Sequence, residues 1–351
     1  MIVKDEAPVI GRCLDSLRSF IDRWVIVDTG SSDNTRELIW QHLTGLPGTL
    51  HERPWRNFGH NRNEALDLAR HELGPADYVF FIDADETLVL APSWRRPALG
   101  AGAYQLHCHY DRLVYSRTAL VATCLPWRWQ GVVHEFLECP GASESQWLEG
   151  LHVQVAHEGA RSRDPQTYLK DAALLEEALR AEPGNARNVY YLAQSLRDAG
   201  ELARSRQTYL QRATMGGFEE EAWHALYQAA ALAERLGAAP AEVSFAYQQA
   251  YAKRPTRAEP LVQLARWHRE RGEHALALLF ARQAAALPRP PDILFIEEPV
   301  YCWQALDEVS VSAWYVGALQ EGRHATALLL AVDGLPPEVR RRAAENAKFY
   351  N

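Results

Sequence analysis

Residues 78–88, Tyr-Val-Phe-Phe-Ile-Asp-Ala-Asp-Glu-Thr-Leu, constrain this chain more than any other stretch. A run of aromatic and β-branched residues stops abruptly at two aspartates one residue apart. Such a run, bounded by charges, reads as a strand buried on both faces. Asp83 and Asp85 at its mouth repel each other unless something cationic lies between them. Hard oxygen ligands suit Mg²⁺ or Mn²⁺, and a divalent ion carrying a phosphate fits the pair. A strand end followed by a solvated acidic turn accounts for the same letters.

A second strand end lies some fifty residues earlier. Trp24-Val25-Ile26-Val27 runs into Asp28-Thr29-Gly30-Ser31-Ser32-Asp33-Asn34-Thr35, and a helical stretch begins at Arg36. Gly30 and the serines permit a tight turn, and Ser32 or Asp33 can cap the helix. Asp28 stands at the carboxyl end of a strand, where open α/β sheets bind ligands. Between the two strand ends, Asn57-Phe58-Gly59-His60-Asn61-Arg62-Asn63 is a polar loop entering a helix. A basic helix start facing the acidic pair is a resting place for a nucleotide diphosphate.

Four segments in this order, Met1-Ile2-Val3-Lys4-Asp5-Glu6, 27–35, Gly59-His60-Asn61-Arg62-Asn63 and Asp83-Ala84-Asp85-Glu86, resemble the serial motifs of family 2 glycosyltransferases. Trp129-Gln130-Gly131-Val132-Val133-His134-Glu135 is similar to the acceptor segment of bacterial members, including lipopolysaccharide-core glucosyltransferases. His157-Glu158-Gly159-Ala160-Arg161-Ser162 resembles the segment that follows it. The match covers about the first half of the chain. It implies a GT-A fold: a nucleotide-sugar-binding α/β domain with a mixed, mainly parallel sheet and flanking helices. Met1 already stands inside the first motif, so either the first strand is short or the sequence as given begins late. Asp5 replaces the more usual asparagine.

The resemblance also implies site roles. The leaving group is a nucleoside diphosphate, and Mn²⁺ or Mg²⁺ held by Asp85, assisted by Asp83, neutralises its charge. Asp83 lies nearer the ribose. Asp28 accepts from the base ring N–H, as in uracil-binding members, which favours a UDP-sugar donor. Arg62 supports the base or diphosphate; Asn63, Lys4 and Glu6 stand in the same nucleotide-binding motifs. His157 is a third metal ligand or phosphate donor, or simply a surface histidine. An inverting transfer needs a carboxylate across the sugar from the diphosphate. Glu135 is the choice for this base, with Asp111, Glu138 and Glu158 as weaker candidates. Trp127 and Trp129 either stack on a sugar or belong to the core.

At 351 residues the chain holds two domains. Composition shifts near residue 165: short β-rich runs at 24–27, 78–82, 103–109 and 114–122 precede it. A helical stretch rich in Ala, Leu, Arg and Glu follows. The expected division is 1–164 and 165–351. In the second part Gly200, Gly237 and Gly272 recur at spacings of 37 and 35, close to the ~34-residue tetratricopeptide period. Pro255 and Pro290 close two of these units. A final unit carrying Gly322 fits less well. These repeats resemble tetratricopeptide repeats, and one helix pair cannot bury its apolar stripe alone. Tyr190, Tyr191, Trp223, Tyr227, Tyr247 and Trp267 are therefore expected in the packing. A concave face could bind a peptide or hold a second subunit in a homo-oligomer.

A net charge of −8 argues against a nucleic-acid binder. No apolar run reaches the ~20 residues of a membrane span. Five scattered cysteines without a Cys-x-x-Cys pair read as free thiols in a reducing cytoplasm. A transferase domain followed by such repeats resembles the peptide S- and O-glycosyltransferases of bacteriocin clusters, so a peptide or protein acceptor stands beside a glycan. Two other classes compete. Asp83-Ala84-Asp85-Glu86-Thr87 also fits a haloacid-dehalogenase phosphatase, with Asp83 as nucleophile and Asp85 as general acid. That reading requires a downstream lysine and a late acidic strand end. The other is a non-catalytic repeat scaffold.

Overall fold

A computed structural model of the chain describes residues 1–74, 77–111, 113–142 and 144–350. They form two compact units, Met1–Ala181 and Glu182–Asn351.

The first unit runs β1 (Ile2–Val3), α1 (Ile10–Leu17), β2 (Trp24–Asp28), α2 (Thr35–His42), β3 (Gly48–Glu52) and α3 (Phe58–Glu72). Seven strands follow: β4 (Tyr78–Phe80), β5 (Glu86–Leu90), β6 (Ala103–Tyr110), β7 (Leu113–Ala122), β8 (Arg128–Gln130), β9 (Phe136–Glu138) and β10 (Gln146–Val155). The unit ends with α4 (Ala160–Arg163) and α5 (Thr167–Ala181). Helices α1 and α2 are crossovers, so β1, β2 and β3 pair parallel, in that order. Among the described residues no helix separates β4 from β10 in the chain. The five-stranded sheet, ordered β4-β7-β6-β10-β5, is accordingly antiparallel except for β6 against β10. β8 and β9 form an antiparallel pair. The α/β class with a mixed sheet is the expected one, but the parallel share is smaller than the mainly parallel sheet expected from sequence.

Helix α1 buries Ile10, Cys13, Leu14 and Leu17, one stripe at helical spacing. Ile10 and Leu14 pack with Val3, Trp24, Ile26 and Ile39, whereas Cys13 and Leu17 pack with Ile82, Leu88, Leu106 and Val153. The helix thus joins the two sheets. Strand β1 spans the two residues Ile2 and Val3. A cavity of about 670 Å³ between β2 and β4 is lined by Ile26, Leu66, Phe81 and Ile82 among others.

The second unit is helical: α6 (Ala186–Asp198), α7 (Leu202–Ala213), α8 (Glu219–Arg235), α9 (Pro240–Lys253), α10 (Glu259–Arg269) and α11 (His274–Ala286). A π-helical turn (Val300–Gln304) then leads into α12 (Ala305–Tyr315), α13 (Leu319–Leu330) and α14 (Pro337–Asn346). Gly200, Gly237 and Gly272 end the first helix of successive pairs with φ of 85°, 69° and 73°, the left-handed cap conformation that glycine adopts without strain. Tyr190, Trp223, Tyr227, Tyr247 and Trp267 are buried between helices, and Tyr191 packs against them. Gly317, with φ 76°, is the turn glycine of the last pair. Gly322, the residue expected there, lies inside α13, where a Cβ would meet the Tyr350 hydroxyl at 2.2 Å. The composition change at 165 marks where the helices begin; α4 and α5 straddle it and belong to the first compact unit.

Candidate active site

Strand β2 delivers Asp28 to its carboxyl end, 1% exposed. Its Oδ1 accepts from the backbone N–H groups of Gly30 and Ser31, both at 2.8 Å, which fixes the turn. Gly30 permits this turn by its φ of 109°. The other oxygen, Oδ2, is buried and has no partner among the described residues. A buried carboxylate oxygen left without a donor is costly, and a ring N–H of a nucleobase suits it.

Strand β4 ends in the acidic turn. Asp83 receives Arg62 Nη2 at 2.9 Å, and the same guanidinium donates through Nε to Glu135 at 2.5 Å. Burial works to raise the Asp83 carboxyl, but the Arg62 and Arg117 guanidiniums outweigh it and hold it below its ordinary value. For Arg62 burial works downward, and the Asp83 and Glu135 carboxylates keep it above its ordinary value. Behind this pair, buried Glu86 accepts from the Asp83 N–H at 2.9 Å and pairs with Arg117. Burial and the neighbouring Asp83 raise the Glu86 carboxyl.

Asp85 faces another partner set. Its Oδ2 accepts from the Gly159 N–H at 3.0 Å, and Glu6 accepts from the next N–H, that of Ala160, at 3.0 Å. A Cβ on Gly159 would stand 3.1 Å from Asp85 Oδ2 and 3.3 Å from Glu6 Oε1. Only a glycine lets the backbone come so close to both carboxylates. Burial, then repulsion from Asp85 and Asp83, raises the Glu6 carboxyl. Carboxylate oxygens are the ligand type that hard divalent cations take. Among the described residues no three His, Cys, Asp or Glu side chains converge closely enough to hold an ion by themselves. His157, exposed with φ 51°, stacks its ring on Tyr110 at 4.2 Å and lies two residues before Gly159.

The segment 129–135 is held against α3. Phe58 N–H donates to Val132 O at 3.1 Å, and a Cβ on Gly59 would lie 2.1 Å from Gly131 O. Asn63 donates to Trp129 O at 2.8 Å and accepts from Trp129 N–H at 2.9 Å. This pair of bonds fixes the segment to α3, and an amide has a second N–H and a second lone pair beyond the two used here. The Arg62 guanidinium lies 4.9 Å from the Trp129 ring centre, and Phe81 packs edge-on against that ring. Trp127 is buried and donates to Gly102 O, so it is core. Lys4 is exposed. Of the weaker base candidates, Glu158 pairs with Arg12 at 2.6 Å, while Asp111 and Glu138 are exposed. Glu86 and Gly159 stand in motifs noted in the sequence but had no part assigned to them there, and Arg117 was not singled out.

Residues 1–94 match the family model described as glycosyl transferase family 2. A TPR repeat-containing protein of Synechococcus elongatus is 27% identical over 309 residues, 82% of this chain and 74% of its own length. Among solved structures, the MamA protein is similar with TM-score 0.38 and 14% identity, over 53% of this chain and 89% of that one. BtubC from P. vanneervenii gives 0.40 and 11%, over 55% and 84%. The N-terminal 94 residues are thus similar to family 2 glycosyl transferases, and helix pairs with glycines at near-tetratricopeptide spacing make up the second unit. No helix among the described residues is long and apolar enough to cross a membrane.

Proposed function

We propose that the first unit transfers a sugar, with inversion, from a nucleoside diphosphate donor to a hydroxyl or thiol of a peptide, protein or glycan. The observation that carries this reading is the Arg62 guanidinium, which joins Asp83 at the end of β4 to Glu135 in the acceptor-side segment. The unpartnered Asp28 Oδ2 takes the ring N–H of the base, which favours uracil. Asp85 and Glu6 supply hard oxygens for Mn²⁺ or Mg²⁺, and the loop carrying Gly159 also brings His157. Bound there, a divalent ion would supply positive charge against the diphosphate leaving group. Asp83, held by Arg62, is left to the ribose. Glu135 receives the acceptor proton, and it does so once Arg62 has shifted its hydrogen bonding to Asp83 or the donor.

The repeat unit then holds the acceptor or a second copy of the chain. The phosphatase reading finds no support: every described element after β10 is helical, and Asp83, its nucleophile, is bound to Arg62. Nucleotide release from UDP-, GDP- and TDP-sugars with Mn²⁺ tests the proposal. UDP-sugars should be consumed fastest. No release from any donor, with or without acceptor peptides, would overturn it.

A further inference from the structure

The repeats have one connection out of step. Successive helix pairs are joined by five residues at 214–218 and at 254–258, but the connection at 287–299 takes thirteen. The extra residues are tied onto the first helices of the earlier pairs and onto the connection at 254–258. Asp292, 7% exposed, accepts from Arg254 Nε at 2.6 Å and Nη2 at 2.5 Å, and from Arg257 Nη1 at 3.0 Å. Glu220 of α8 accepts the backbone N–H groups of Ile293 at 3.1 Å and Leu294 at 2.7 Å. Arg257, fully buried and 3.8 Å from the Trp223 ring centre, donates to the carbonyls of Leu294 at 3.1 Å and Phe295 at 2.7 Å. The Phe295 ring stacks on His224 of α8 at 3.9 Å and lies 5.7 Å from Tyr190 of α6. Glu259 of α10 accepts the Glu297 N–H at 3.3 Å.

Charged side chains of the repeats therefore satisfy the main chain of 293–295, and two pockets read its side chains. The Arg254–Arg257 pair reads an acid, and His224 with Tyr190 reads an aromatic ring. Apolar burial contributes little, because Ile293 is 79% and Phe295 37% exposed. Phe295 also holds φ 55°, a region unfavourable for a bulky residue. A segment with so little apolar burial opens locally without unfolding its host.

We propose that this face of α6, α8 and α10 is a peptide-binding groove, with residues 292–295 as its resident occupant. Its partner is a polypeptide segment carrying an acid three residues before an aromatic residue. The partner gains the same backbone hydrogen bonds after displacing the resident segment, which acts as a built-in competitor. The proposal concerns the second unit alone and stands whether or not the first unit transfers a sugar.

The test uses a fluorescein-labelled peptide of residues 290–299 and the full chain, read by anisotropy. Wild type should bind it weakly, because its groove is mostly occupied, and Phe295→Ala should bind it about tenfold tighter or more. Replacing the aspartate of the peptide by alanine should abolish that binding. Equal binding by wild type and variant, or equal binding of a scrambled peptide, would overturn the proposal. Should Phe295→Ala not fold, amide exchange in the wild type decides. The Ile293 and Leu294 amides should exchange far faster than those of α8 and α10. Exchange only at the rate of global unfolding would show a permanent part of the fold, and the groove would be no site.

Discussion

Replacing Arg62 by methionine keeps roughly the volume of the side chain and removes the charge between two carboxylates. Arg62 is 12% exposed, Glu135 10% and Asp83 38%. Breaking a buried ion pair by removing one partner costs ~3–5 kcal/mol, because the charge left behind is uncompensated. Water reaches Asp83 and screens part of that, so the loss expected for Arg62→Met is about 3 kcal/mol. The pH dependence has a definite sign. The folded Asp83 carboxyl lies below its ordinary 3.8, so its contribution is present above that value and is lost as pH falls through the folded value. In Arg62→Met the facing carboxylates instead gain by protonation. Urea unfolding of the strand-rich unit should show the full gap at pH 7, shrinking as pH is lowered below the ordinary value. A loss under ~1 kcal/mol at pH 7, or a gap that widens on acidification, would refute the reasoning.

Gly59→Ala places a methyl 2.1 Å from Gly131 O; backbone must move, so a loss of ~1–3 kcal/mol in urea unfolding is expected, together with a loss of turnover. Glu6 has its folded carboxyl raised above 4.5 by burial and by Asp85 and Asp83. Its favourable share is therefore present below 4.5 and lost as pH rises through the folded value. Glu6→Gln should thus be more stable than wild type at pH 7, with the difference gone below pH 4.5 in thermal melts. Glu135→Gln should keep nucleotide affinity by calorimetry and lose ~10²–10⁴-fold in turnover with hydroxyl acceptors. Thiol acceptors, already partly ionised near neutral pH, should lose less.

The parts legible in the sequence were those coded locally. Asp83 and Asp85 follow an apolar run and Asp28 follows another, so strand ends and acidic turns could be read together. Gly200, Gly237 and Gly272 announce helix-pair turns because only glycine takes that cap conformation cheaply. What escaped depends on residues far apart in the chain. Arg62 meets Glu135 across 73 positions, and Gly159 meets Asp85 across 74. Nothing in either local pattern signals the encounter. Asn63 stands in its motif, but its hydrogen bonds to the Trp129 backbone are a contact that only tertiary packing decides. Gly317 was missed because the long connection at 287–299 shifted the repeat out of period.

The most direct test of a metal-dependent nucleotide site is calorimetric titration of UDP with and without Mn²⁺, in wild type and Asp85→Ala. Asp85 has one oxygen on Gly159 and belongs to a crowded carboxylate set, so Mn²⁺ should strengthen UDP binding to the wild type. Asp85→Ala should abolish that gain and leave the metal-free affinity nearly unchanged. Equal UDP affinity with and without Mn²⁺ in both proteins would contradict the account.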